Sequence, residues 1–164
     1  MPRARSFSKI SLQGMRSVVA NRKLAAESNT VKPRWRRPSV AAVRVAEAGE
    51  GADYQAAFDA LARQDVQIMV CDSTDEAVHQ DLRTAVETAS ASRKERIGVV
   101  GGSGEEAAAL VEHAAALNSE RMVLVGPDVL DEAGETLSAA FPAAALAGAI
   151  ASHAASAVPL NGAE

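Results

Sequence analysis

A chain of 164 residues is long enough for one ordinary domain and too short for two independent cores. Apolar residues make up 48% and aromatics only 3%, with Ala abundant, so an aliphatic core with closely packed helices is expected. The net charge of -4 is unevenly divided: residues 1–40 hold ten Lys/Arg and one acid, Glu27, for +9, whereas residues 41–164 hold seven and twenty, for -13. A single cysteine, Cys71, excludes an internal disulfide, and no stretch approaches the roughly 18 uninterrupted apolar residues of a membrane span, so no membrane partner is expected.

Residues 1–40 read as a basic, poorly ordered leader, rich in Arg and Ser and without the apolar run of a secretory signal. An organelle transit peptide, or a basic arm for nucleic acid or an acidic surface, are the alternatives. The stretch "KPRWRRPSV" (Lys32 to Val40) sets four cations around Trp35, an arrangement that can stack on bases. One aromatic makes no stacking platform, and a linker pinned by Pro33 and Pro38 explains the stretch equally well, so nucleic acid is not an expected partner.

From residue 41 to residue 164 the pattern becomes regular and predicts one domain. "VAAVRVAEA" (Val40 to Ala48) supplies a strand, "GEGAD" breaks it, and "YQAAFDALARQ" (Tyr54 to Gln64) sets Tyr54, Phe58, Leu61 and Ala62 on one helical face. "VQIMVCD" (Val66 to Asp72) has the length of a buried strand. "STDE" (Ser73 to Glu76) then caps a helix with Ala77, Val78, Leu82, Ala85, Val86 and Ala89 at three and four spacing, ending near Arg93. The alternation repeats with a strand at Arg96 to Val100, a helix at Gly104 to Leu117 and a strand at Met122 to Val125.

After a turn and an acidic loop, a helix of small residues follows from about Ala143 to Ala154, in which Gly148 is expected to permit close approach of a neighbouring backbone. Strands that are continuous apolar runs, each followed by a helix, imply an α/β fold: a small, mostly parallel sheet of three or four strands with helices on both faces.

Four groups of residues invite a chemical reading. "VVGGSGEE" (Val99 to Glu106) is a glycine-rich turn between strand and helix, a place where backbone N–H groups can hold phosphate. It lacks G-x-G-x-x-G and the Walker Lys, and Glu105 and Glu106 oppose an anion, so a plain tight turn with Ser103 or Gly104 starting the helix is expected. Asp72 and Asp128 stand at strand ends, where paired carboxylates could hold Mg²⁺, but turns and caps also recruit Asp there. His79, His113 and His153 have no second His or Cys at metal spacing and read as surface or helix-end residues. Cys71 reads as a small apolar filler. No catalytic, cofactor-binding or metal-ligating residue is therefore assigned, and no cofactor or small-molecule substrate is expected. The Gly101–Glu106 turn, holding a phosphorylated ligand in a small α/β binding or enzymatic domain, is the alternative.

"RIGVVGG" (Arg96 to Gly102), "AAALNSERMVLVGPDV" (Ala114 to Val129) and the proline-started "FPAAALAGAIAS" (Phe141 to Ser152) occur in an order and spacing that resemble the central domain of contractile-tail sheath proteins, which build the outer tube of contractile bacteriophages. "DYQAAFDALARQDVQIMVCD" (Asp53 to Asp72) also fits, so the resemblance covers roughly residues 52–162. It implies a domain of subtilisin-like topology without proteolysis. It further implies a structural, non-enzymatic, homo-oligomeric subunit of the virion tail, assembled in the host cytoplasm around a tail tube, with other copies, the tube protein and the baseplate as partners. Sheath proteins continue past "VPLNG" into a C-terminal domain that packs on the tube, so a truncated, prophage-type copy lacking that domain is expected.

Overall fold

The computed structural model describes residues 17–22, 39–45, 51–102 and 106–152. In chain order these form β1 (Ser17–Arg22), β2 (Ser39–Arg44), α1 (Gly51–Ala62), β3 (Ile68–Cys71), α2 (Glu76–Ala91), β4 (Ile97–Gly101), α3 (Ala107–Leu117), β5 (Met122–Val125), β6 (Val129–Leu130), β7 (Thr136–Leu137) and α4 (Ala140–Ser152). Five strands make one sheet in the order β2-β1-β3-β4-β5, and β6 pairs with β7 in a separate ribbon. β3, β4 and β5 are parallel, whereas β1 runs antiparallel to both β2 and β3. The expected α/β architecture with helices on both faces is present.

The apolar runs explain why β3 and β4 lie at the centre. A strand covered on both faces cannot alternate polar with apolar, and "IMVC" is buried at every position. Period-two geometry then sorts the side chains between the faces. Met69, Cys71 and Val100 point into a core with Tyr54, Phe58 and Leu61 of α1 and Val78, Leu82 and Val86 of α2, and half-buried Met122 and Leu124 pack against it. Ile68, Val70 and Val99 point to the opposite face, onto Ala143 and Ala147 of α4, joined by Ile97, Val123 and Val125. Among the described residues, three helices thus cover one face and α4 covers the other.

Helix boundaries follow local chemistry. α1 buries Tyr54, Ala57, Phe58 and Leu61, a stripe at three and four spacing. Asp75 starts α2 by accepting the Ala77 amide at 2.8 Å. The carboxyl end of α1 is closed by a residue 34 positions beyond it. Arg96, buried just before β4, donates from Nη1 to the Leu61 carbonyl (3.2 Å) and from Nη2 to those of Ala62 (3.1 Å) and Gln64 (2.8 Å). A cation there answers carbonyls at the helix end, of which that of Leu61 also accepts the Gln64 amide at 3.0 Å.

Several expectations from the sequence require correction. The segment read as a leader contains β1, which lies between β2 and β3, so the sheet begins well before residue 40. The acidic loop after β5 contains the β6–β7 ribbon, turned by Gly134 at φ +80°. α4 begins at Ala140 rather than Ala143, because Pro142 is tolerated in a first turn whose amides have no helical partner. Gly148 meets no close neighbour among the described residues: a Cβ there would lie more than 4 Å from all of them. The glycine that does is Gly101, described next.

Candidate functional site

The two glycines at the end of β4, Gly101 and Gly102, pack against protein. A Cβ on Gly101 would lie 2.3 Å from the Ala139 carbonyl carbon and 2.4 Å from the Ala140 amide nitrogen, and one on Gly102 would lie 2.6 Å from the Leu110 side chain. These glycines let α4 and α3 close on the carboxyl end of β4, a packing reason for the sequence that phosphate binding does not require. Ser103, Gly104 and Glu105 lie outside the described residues. α3 starts at Ala107 rather than Gly104, with Glu106 at its N-cap and no side-chain cap hydrogen bond.

Asp72 and Asp128 each serve a separate neighbour. The Tyr54 hydroxyl donates to Asp72 Oδ1 at 2.9 Å, tying α1 to the end of β3, while Asp128 Oδ1 accepts the Ala139 amide at 2.6 Å just ahead of α4. Asp128 thus behaves as a capping carboxylate, whereas the capping role expected near Asp72 falls to Asp75. Among the described residues no group of three or more His, Cys, Asp or Glu is placed to hold a metal. Cys71 is fully buried in the core, where burial pushes its thiol up to about 12, so it packs as an apolar side chain and not as a nucleophile.

Two histidines are not where surface residues belong. His79 on α2 is 0% exposed and His113 on α3 is 9% exposed, correcting the surface reading of both; His153 lies outside the described residues. Their rings are nearly parallel, 15° apart with centroids at 5.0 Å, and His79 Nδ1 stands 3.1 Å from His113 Nε2. His79 Nε2 lies 2.7 Å from the Ser73 carbonyl oxygen. A carbonyl only accepts, so Nε2 of His79 carries hydrogen and Nδ1 of the neutral ring is the acceptor. The proton between the rings therefore belongs to His113 Nε2. Burial, the larger influence, and the neighbouring His113 lower the proton affinity of His79, against the opposing pull of the Ser73 carbonyl, Asp75 and Glu76.

The spacing carried a signal for this pair. His79 precedes Leu82 by three positions and Val86 by seven, and His113 precedes Leu117 by four, so each histidine shares the buried stripe of its helix.

A groove of about 390 Å³ runs between α1 and α2, with Phe58, Ala62, Ala85 and Ala89 among its lining and Asp59, Asp81 and Lys94 at its edges. Gln55 Nε2 already donates to Asp81 at 3.1 Å.

The exposed surface is more informative than these clefts. α3 buries only His113 and Leu117 although its sequence is almost wholly apolar, and Val111 on it is 67% exposed. Leu130 on β6 is 70% exposed and Phe141 on α4 is 43% exposed. All four residues of β5, at the edge of the sheet, are only half-buried. Apolar surface left on an edge strand, a helix and a ribbon suits contact with other protein.

Comparison with curated proteins gives no match. The family model described as the phage tail sheath protein central domain matches residues 47–161, a span that contains the three parallel strands and the four helices of the described residues. With the α/β core built as that resemblance implied and the match covering well over half its length, the chain belongs to the phage tail sheath family.

Proposed function

We propose that this chain is a structural subunit of a contractile tail sheath that acts by self-association around a tail tube. The match of the sheath central domain over residues 47–161 carries the reading, because members of that family are structural components of the tail. The surface supports it: Val111, Leu130 and the half-buried edge strand β5 are apolar groups that a neighbouring subunit would cover. The partners are other copies of the chain, the tail tube protein and the baseplate. The working location is the virion tail, reached by assembly in the host cytoplasm. The subunit is a homo-oligomer of subtilisin-like topology that does no chemistry, and the chain represents the sheath core in a prophage-type copy.

Among the described residues of the Gly101–Glu106 turn, Gly101 and Gly102 are packed against the start of α4 and Leu110, which lends the phosphorylated-ligand alternative no support. A lysate of the native source, sedimented and examined by electron microscopy, tests the proposal. The polypeptide is expected in the pellet with rod-shaped particles. Its recovery as a free species of about 17 kDa, together with a melting temperature raised several degrees by phosphate or Mg²⁺, contradicts it.

A further inference from the structure

We propose that the His79–His113 pair is a proton-operated latch that holds α3 against α2 near neutral pH and releases it in acid. The inference stands apart from the sheath assignment, because it concerns how one helix is attached within a single chain.

Besides half-buried Leu110, which packs beside Gly102 and Gly126, the attachment of α3 rests on few side chains. His113 and Leu117 are its only buried residues. Other links from α2 to this region are the exposed Gln80 Nε2 donating to the Ala116 carbonyl at 3.0 Å and Glu87 accepting from Ser119, beyond the helix end, at 2.8 Å. The histidine pair is thus the buried polar bond between α2 and α3, and its polarity is fixed from one end. The Ser73 carbonyl requires hydrogen on His79 Nε2, which leaves His79 Nδ1 to accept from His113 Nε2. A proton added to His113 alone leaves this chain intact. A proton added to His79 Nδ1 sets N–H against N–H across 3.1 Å and ends the bond.

The surroundings decide whether that proton can be accommodated. Among the described residues, the hydrogen-bond partners of the two rings are each other and the Ser73 carbonyl. At the start of α2, Asp75 and Glu76 draw a proton toward His79, but both are exposed and Asp75 is engaged by the Ala77 amide. On the β3 side stand the buried thiol of Cys71 and Asp72, which accepts from Tyr54. On α3, Glu112 beside His113 is exposed. A charged pair in this position is buried without a bonded carboxylate, and moving α3 outward hydrates it.

Hydrogen exchange of the full chain at pH 7.5 and pH 5.0, corrected for intrinsic rates, tests the latch. Amides of residues 107–117 should lose protection by about tenfold relative to those of 140–152 on acidification, a change of about 1.4 kcal/mol. In His113→Gln, whose side-chain amide can donate from Nε2 to the neutral His79 ring and, turned over, accept at Oε1 from the protonated one, the same amides should keep equal protection at both pH values. Parallel responses of α3 and α4 in the native sequence, or an acid loss in His113→Gln equal to that of the parent, would overturn the proposal. Should the variant fail to fold, ¹⁵N imidazole spectra of the native chain decide. Hydrogen on Nε2 of His79, with α3 amide shifts titrating together with that ring, supports the latch; α3 shifts that titrate independently of His79 refute it.

Discussion

The Tyr54 hydroxyl donates to Asp72 Oδ1 across 2.9 Å, so a partly buried bond to a carboxylate fastens the first turn of α1 to the end of β3. Tyr54→Phe keeps the ring in its buried place and removes this bond. It should lower unfolding free energy by about 1.5 kcal/mol, the low end for a hydrogen bond to a charged group. Asp72→Asn retains an acceptor oxygen and should cost less than half as much. Urea denaturation of both variants measures the difference; equal losses would mean that the carboxylate has a role beyond Tyr54.

Two glycines should respond to the same substitution with opposite signs. Gly101→Ala places a methyl 2.3 Å from the Ala139 carbonyl carbon, and backbone cannot swing aside as a side chain does. A loss of about 3 kcal/mol is expected, at the upper end for overpacking. Gly148→Ala meets nothing within 4 Å on an exposed face of α4 and should stabilise by up to about 1 kcal/mol through helix propensity. Thermal unfolding of the pair reads both signs.

Arg96 supplies donors to three carbonyls at the end of α1. Arg96→Met fills the space but removes the guanidinium donors from those oxygens, of which only that of Leu61 keeps a described partner in the Gln64 amide, and a loss of about 3 kcal/mol is expected. Arg96→Lys should recover only part of it, because an ammonium cannot fork to several acceptors as a guanidinium does. Denaturant unfolding gives the size, and exchange of the amides in the last turn of α1 gives the location.

The stability of the whole chain should fall as pH drops below about 6.5. His79 has a native proton affinity lowered chiefly by burial from the ordinary value of 6.5, so the unfolded chain takes up the proton first. Its contribution is complete above 6.5 and is lost as pH falls through the lower native value. Glu87, held below its ordinary 4.5 by hydrogen bonds from Arg83 and Ser119, contributes in the same direction at more acid pH, so a decline already present between 6.5 and 5 is assigned to the histidine. Urea midpoints across that interval check it. A His79→Gln variant that retains the full decline would contradict the assignment.

What could be read from the sequence was whatever depended on local pattern. β3, β4 and β5 are continuous apolar runs, and α1 and α2 carry stripes that name their own buried residues, so the parallel centre of the sheet was legible. β1 was not, because "SVVANR" is short, lies among cations and becomes a strand through pairing with β2 and β3. The β6–β7 ribbon has two residues per strand, too few for any period to show. The role of Arg96 depends on carbonyls more than thirty residues away, and the burial of His113 depends on a partner 34 positions earlier. Gly148 misled because a glycine among alanines signals close approach only when a neighbour is present.

Reactivity of Cys71 gives a simple check on the core. A fully buried thiol pushed up to about 12 holds almost no thiolate at pH 8, so modification by iodoacetamide should proceed only as fast as the chain unfolds. Rapid labelling of the native protein would show that the β3 end is open.

Immunogold labelling of intact contractile tails from the native source, with an antibody against the exposed side of residues 140–152, tests the sheath assignment most directly. A sheath subunit predicts gold along the whole length of the tail, in many copies per particle. Gold confined to one end, or tails that remain bare while the soluble fraction carries all the antigen, would contradict it.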